Sequence, residues 1–199
     1  MVRWILFDQA RVQTHDVFVR EPRYSINGKT FDAKALEGVF YTDEYKEYSR
    51  GALGERELVE GFLEASHLDC TFEEYIAMFK TSITAIEGMG DVLRSLAQRY
   101  RLATAINEGS EWARYKLEVS GFAPYFEKHV ISGDIGLEKP DAAFYEKALE
   151  ILNAEPVECL FIDDRAENCD AAQRLGIRSI VFVDAPNLRE ALKSFSISM

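Results

Sequence analysis

The chain has 199 residues, 47% of them hydrophobic and 29% charged, a balance that supports a buried core and excludes an intrinsically disordered chain. Its formal net charge of −11 argues against nucleic acid and against an anionic membrane as partners, because both repel such a surface. A small phosphorylated metabolite is not excluded, since a lysine and a bound metal can reverse the field locally.

In chain order, residues 2–7 (VRWILF) read as a buried strand that stops at Asp8, with Trp4 in the core. Residues 15–87 change character. Asn27-Gly28 is a hairpin-type dipeptide, and helical segments follow. Over 55–65, Leu58, Phe62 and Leu63 share a face, and over 71–83 so do Phe72, Tyr75, Ile76, Phe79 and Ile83. Thr71 and Glu74 make a capping-box pattern at the start of the second helix. After Gly88 and Gly90 strands and helices alternate: helix 91–98, strand 101–106, helix 110–120, strand 128–132, helix 141–152, strand 158–162, helix 166–175, strand 178–183 and helix 187–195. Near-continuous apolar strands alternating with helices predict an α/β fold with a parallel sheet covered on both faces. The helical block at 15–87 reads as an insertion that caps this sheet, leaving 1–14 and 88–199 as the core domain.

Ligands of an open parallel sheet gather beyond the carboxyl ends of its strands. There the sequence places Asp8-Gln9-Ala10, Asn107-Glu108-Gly109, Ser132-Gly133-Asp134 with Lys139-Pro140, and Asp163-Asp164. Alone, each has an ordinary reading: an Asp after a strand is commonly a helix cap or turn residue. Together, carboxylates at one edge repel unless a cation sits among them, and hard oxygen ligands of this kind favour Mg²⁺. An aspartate beside such a metal can attack phosphorus as a nucleophile.

On these residues the chain resembles the haloacid dehalogenase superfamily along nearly its whole length. The first family motif, a strand ending in Asp-x-Asp, is matched by Ile5-Leu6-Phe7-Asp8-Gln9-Ala10, and the second by Ala105-Ile106-Asn107. The third is matched by Gly136-Leu137-Glu138-Lys139-Pro140, and the fourth by Phe161-Ile162-Asp163-Asp164. The resemblance implies a three-layer, Rossmann-like core with an inserted helical cap similar to that of sugar-phosphate phosphatases. It implies Mg²⁺ held by Asp8, the Ala10 backbone carbonyl, Asp163 and Asp164. Asp8 is then the nucleophile, forming an aspartyl-phosphate, Lys139 the phosphate anchor, and Asn107 and Arg11 substrate-side groups. Two positions depart from the family. Ala10 stands where an acid protonates the leaving group, a loss of roughly 10²–10⁴-fold for one acid–base group, and Ile106 stands where a hydroxyl meets phosphate. Thr104 is too deep on the same strand to replace that hydroxyl.

The expected function is therefore a Mg²⁺-dependent phosphatase acting on a small phosphomonoester. The alternative is an impaired member of the fold acting as a binding or regulatory module. Carbon–halogen hydrolysis fits less well, because dehalogenases do not keep the paired acids. Phosphonate cleavage lacks its cap lysine, with Lys29, Lys34 and Lys46 read as surface residues. Tyr41, Tyr45 and Tyr48 read as a packed helical stripe, and Glu55, Glu57 and Glu60 as a solvated face. Trp112 and Tyr115 read as packing residues, and His15, His67 and His129 as surface or packing residues. The N-terminal apolar run is too short for a signal peptide and no stretch approaches a membrane span. Cys70, Cys159 and Cys169 show neither disulfide nor zinc spacing, which predicts reduced thiols in a cytoplasmic protein.

Overall fold

A computed structural model describes residues 2–199. In chain order the strands and helices are β1 (Trp4–Phe7), β2 (Arg23–Ile26), β3 (Lys29–Asp32), α1 (Ala33–Glu37), α2 (Asp43–Ser49), α3 (Glu55–Ala65), α4 (Phe72–Ser82) and α5 (Met89–Leu96). They continue with β4 (Arg101–Ile106), α6 (Ser110–Val119), β5 (Lys128–Ile131), α7 (Ser132–Ile135), α8 (Ala142–Leu152), β6 (Cys159–Asp163), α9 (Ala166–Arg174), β7 (Arg178–Val181) and α10 (Ala185–Ser194). Five strands form one sheet in the order β5-β4-β1-β6-β7, and all its pairings are parallel. No helix among the described residues is long and apolar enough to cross a membrane.

Strand alternation explains the layers. On β1, Ile5 and Phe7 join Leu102, Leu160, Ile162 and Ile180 on one face, packed by Val92, Leu93 and Leu96 of α5 and Leu188 and Leu192 of α10. Trp4 and Leu6 join Ala103, Ala105, Val130 and Phe161 on the other face, packed by Phe144, Ala148 and Leu152 of α8 and Ala171 and Ala172 of α9. A strand with both faces buried must be apolar throughout, so the sequence of β1 shows no polar alternation. Each fully buried Leu or Ile in these layers contributes about 1.5–3 kcal/mol.

Most of the segment between β1 and α5 gathers around a third apolar cluster, with Phe18, Leu36, Leu58, Tyr75 and Phe79 fully or nearly fully buried. Trp112 of α6 joins this cluster from the sheet side. The segment is not wholly helical. Arg23–Ile26 and Lys29–Asp32 pair antiparallel across Asn27 and Gly28, both at positive φ (50° and 79°), the geometry that Asn-Gly favours. Asn27 Nδ2 also donates to Glu74 Oε1 at 2.9 Å, tying the turn to α4. The expected capping box forms, with Glu74 N–H donating to Thr71 Oγ1 at 3.2 Å and Thr71 N–H to Glu74 Oε2 at 3.1 Å. A cap of this kind is worth about 1 kcal/mol.

Elsewhere strands 1 and 7 are shorter than their apolar runs, and one helical turn, α7, follows β5 directly. The apolar run of β7 outlasts the strand on one face only: the Phe182 N–H still donates to the Asp163 carbonyl at 2.8 Å, while Val181 and Val183 are exposed. Phe182 remains in the core after β7 has ended.

Candidate active site at the carboxyl edge of the sheet

Asp8 follows β1, and its N–H donates to the Ile162 carbonyl at 2.8 Å. That bond carries the β1–β6 ladder one step further and brings Asp8 alongside Asp163, the last residue of β6. Lys139 Nζ lies 2.7 Å from Asp8 Oδ1 and 2.7 Å from Asp163 Oδ2. Its side chain is only 1% exposed and that of Asp163 is fully buried. Asp163 is fixed further by the Arg165 N–H at 2.8 Å and by Asn168 Nδ2 at 3.0 Å from each carboxylate oxygen. Asp8, Asp163 and Asp164 each offer an oxygen within 4.8 Å of the others.

The loop after Asp8 is tightly wound. Val12, Gln13 and Thr14 all donate their N–H groups to the Gln9 carbonyl, and Arg11 N–H donates to the Thr14 carbonyl. The turn's bonds thus converge on Gln9 rather than on Ala10. Arg11 takes positive φ at 60°, and Val12 is buried in the core. Gln13 Nε2 donates to the Asp8 carbonyl at 2.8 Å, and Gln9 Nε2 to the Ala113 carbonyl at 2.9 Å. These two glutamines hold the loop, and the sequence reading passed over both because amides next to a motif carry no signal of their own.

Asn107 lines the cleft and is also tied to the Lys139 backbone. Its amide Nδ2 donates to the Lys139 carbonyl at 2.7 Å and its Oδ1 accepts the Lys139 N–H at 2.9 Å. These two bonds orient Lys139 and use one of the two amide N–H donors of Asn107. Ile106 is buried against Ala113 and Ile131, and Thr104 is fully buried with its hydroxyl 3.3 Å from His129 Nδ1. Arg11 does not block the site. Its side chain is 65% exposed, paired with Asp16 at 2.8 Å and 3.7 Å from Asp164.

Electrostatics follow from three carboxylates facing one ammonium. Burial pushes the Asp8 carboxyl up to about 6, with Lys139 pulling it down and Asp163 adding to the rise. Burial and the neighbouring Asp163 also raise Asp164, against the pull of Arg11. For Lys139, burial favours the neutral amine, but Asp8 and Asp163 outweigh it and the ammonium is held above its usual range. The lysine stays charged and the acids remain in excess. A hard divalent cation fits this donor set, with Asp8, Asp163 and Asp164 as the oxygen ligands.

These groups open onto a cleft of about 650 Å³, whose lining also includes Glu37, Phe40, Tyr41 and Tyr45. A second ionic cluster lies in its side. Lys116 Nζ meets Glu108 Oε2 at 2.6 Å, and Glu108 Oε1 accepts the Tyr45 hydroxyl at 2.8 Å and the Gly109 N–H at 3.1 Å. Two sequence readings change here, and that of Lys29 gains partners. The tyrosine stripe splits, with Tyr48 buried and Tyr41 81% exposed. Glu55 is not simply solvated, since its carboxylate accepts from Trp112 Nε1 at 3.0 Å and from the Tyr115 hydroxyl at 3.3 Å. Lys29 is an ion-paired surface residue, near Asp69 and Glu74.

Comparison with known proteins gives a family, two relatives and a structural neighbour. A family model described as haloacid dehalogenase-like hydrolase matches residues 34–182. Flavin mononucleotide hydrolase 1 of Arabidopsis thaliana is 26% identical over 186 residues, covering 92% of this chain and 76% of that protein. Phosphoglycolate phosphatase of Aquifex aeolicus is 26% identical over 160 residues, covering 76% and 72%. Among solved structures, a haloacid-dehalogenase-family enzyme from Bacteroides thetaiotaomicron, in complex with magnesium and inorganic phosphate, superposes with a TM-score of 0.71. It is 20% identical, with 92% of this chain and 96% of that chain covered, a likeness of fold.

Proposed function

This chain belongs to the haloacid dehalogenase-like hydrolases, and from that premise we propose that it is a magnesium-dependent phosphatase of small phosphomonoesters, working through Asp8. The observation that carries the reading is the single buried ammonium of Lys139 shared between Asp8 and Asp163, with Asp164 close enough to complete a three-carboxylate set. Relatives named for flavin mononucleotide and for phosphoglycolate hydrolysis support phosphate-ester chemistry as the class.

Asp8, Asp163 and Asp164 would hold the cation, together with the Ala10 carbonyl. When bound, Mg²⁺ supplies charge neutralisation for a phosphate placed against these carboxylates. An Asp8 carboxylate oxygen forms a bond to phosphorus while the ester P–O bond breaks and its electron pair leaves with the alkoxide. With its carboxyl near 6, Asp8 is largely ionised at neutral pH, as attack requires. Lys139 neutralises a phosphoryl oxygen, and Asn107 keeps Lys139 in place. Ala10 offers no proton, so the alkoxide takes its proton from water, and a second water adds to phosphorus, releasing phosphate and restoring Asp8. Residues 15–87 serve as a cap over this edge, a reading supported by their own apolar cluster and by the placement of Glu37 to Tyr45 along the cleft. The free cysteines agree with a reducing, cytoplasmic setting.

The test is phosphate release from a broad panel of phosphomonoesters. Release is expected with Mg²⁺, to cease with a chelator, and to fall at least about 10³-fold in Asp8→Asn, as for loss of a covalent nucleophile. Ala10 and the buried Ile106 favour a second reading, a phosphate-binding or regulatory module. That reading gains if vanadate binds with Mg²⁺ while no ester is turned over.

A further inference from the structure

The part of the cleft lining formed by Phe40, Tyr41 and Tyr45 is an aromatic wall and carries no free cation. Phe40 packs edge-on against Tyr45 (ring centroids 5.1 Å) and Trp112 (5.4 Å), so the wall is the outer surface of a larger aromatic stack. Tyr45 has spent its hydroxyl on Glu108. Tyr41, although it lines the cleft, leaves 81% of its surface exposed, a large ring presented to whatever enters. Every cation lining the cleft has an acidic partner: Arg11 with Asp16, Lys116 with Glu108, Lys139 with Asp8 and Asp163, and Arg165 with Glu167. Glu37, in the same cleft lining, pairs with no cation among the described residues.

The wall is also fixed in place. Ser132 Oγ donates to the Ser49 carbonyl at 2.6 Å, and Ser49 Oγ donates to Glu138 at 2.6 Å, beside Lys139. Arg50 also meets Glu138 at 2.6 Å. Tyr48 lies so close to the loop after β4 that a Cβ at Gly109 would fall 2.1 Å from its ring. Helix α2 and the residue after it are thus pinned to the core at Gly109, Ser132 and Glu138.

The geometry points to a substrate whose leaving group is flat, aromatic and uncharged or cationic, stacked on Tyr41 and Phe40, with the unpaired Glu37 repelling leaving groups that carry a carboxylate. This rests on the phosphomonoesterase reading of the Asp8 edge and names the substrate class for that site. A ring stacked on an exposed aromatic gains dispersion and quadrupole attraction. A carboxylate brought near Glu37 gains nothing and meets a like charge.

Benzyl phosphate, glycerol 3-phosphate and phosphoglycolate all leave as alkoxides, so they differ chiefly in what the wall meets. With the full chain and Mg²⁺, kcat/KM is expected to fall in that order, with at least about tenfold between the first and the last. Tyr41→Ala should shrink the benzyl-to-glycerol ratio about tenfold, Tyr41→Phe should keep it, and Glu37→Gln should raise phosphoglycolate relative to glycerol 3-phosphate. Phosphoglycolate turned over as fast as benzyl phosphate, or Tyr41→Ala slowing all three alike, would overturn the assignment. If no ester is turned over, calorimetry with Mg²⁺ still decides. Tighter binding of benzylphosphonate than of 3-phosphonopropionate, lost in Tyr41→Ala, keeps the leaving-group class while the hydrolytic reading fails. Equal binding ends both.

Discussion

Lys116 and Lys139 are both buried and both line the same cleft, yet their surroundings differ in charge. Lys116, 5% exposed, meets one carboxylate, Glu108, whose other oxygen is taken by a tyrosine hydroxyl and a backbone N–H. Charges cancel there and the acceptors are filled, so the cluster ties α2 and α6 together and has no capacity for another ion. Lys139 is shared by two carboxylates with a third beside them. Burying charge is costly unless it is balanced, and this second group is left acid-rich. A balanced buried ion pair is architecture, whereas an unbalanced one awaits a ligand. Burial alone does not tell the two lysines apart; the count of opposing charges does.

Removing each lysine is the sharpest way to break that comparison. Lys139→Met leaves Asp8 and Asp163 adjacent with no ammonium between them. Phosphate release is expected to drop roughly 10²–10³-fold, the worth of one preorganised electrostatic group. In a chelator the variant should lose about 3–5 kcal/mol of stability, and Mg²⁺ should restore part of it, because the metal takes over as counter-charge. Thermal unfolding with and without Mg²⁺ reads this out. An equal loss in both buffers would mean that the acids do not share a cation site.

Lys116→Met isolates Glu108 in the same way, and the expected destabilisation is again about 3–5 kcal/mol. Here Mg²⁺ should make no difference. Adding Glu108→Gln removes the stranded charge, and the double variant should regain most of the loss, since replacing a whole buried pair is close to neutral. Denaturant unfolding of the two single variants and the double variant gives the coupling. Recovery of Lys116→Met by Mg²⁺ would erase the distinction between the clusters.

The two clusters also differ in how far the sequence announced them. Asp8, Lys139, Asp163 and Asp164 were legible because strand ends are legible: an apolar run that stops at a polar residue marks the sheet edge, and parallel topology brings such edges together. Strand 101–106 and helix 55–65 were read to the residue, each bounded by its own periodicity. The Glu108 cluster left no such trace. Glu108 and Lys116 are 8 apart and Glu108 and Tyr45 are 63 apart, outside any helical spacing rule. Glu55 looked like part of a solvated acidic face, and its partner Trp112 is 57 residues away. The bonds of Asn107 to the Lys139 backbone are silent in the sequence, because a strand-end amide reads the same whether it contacts a ligand or a backbone. What pattern could not supply in each case was a contact set by tertiary packing rather than by local spacing.

A milder probe leaves every side chain in place and titrates the imbalance itself. Burial raises the Asp8 carboxyl from 3.8 to about 6, so the folded, metal-free protein holds that proton more tightly than the unfolded chain does. A raised folded value means that this contribution to stability is complete below about pH 4 and is lost as pH climbs through 6. At one pKa unit per 1.36 kcal/mol, the loss between pH 4 and pH 7 is at most about 3 kcal/mol. Other carboxylates add their own slopes, so the comparison to make is with Asp8→Asn in the same chelating buffer. The wild-type unfolding free energy should fall relative to the variant over pH 4–7, and above pH 6 the inactive variant should be the more stable protein. Saturating Mg²⁺ should flatten the difference, since a cation beside Asp8 favours the ionised form. Parallel pH profiles for the two proteins would show that Asp8 is not held against its charge, and the imbalance assigned to the Lys139 cluster would lose its footing.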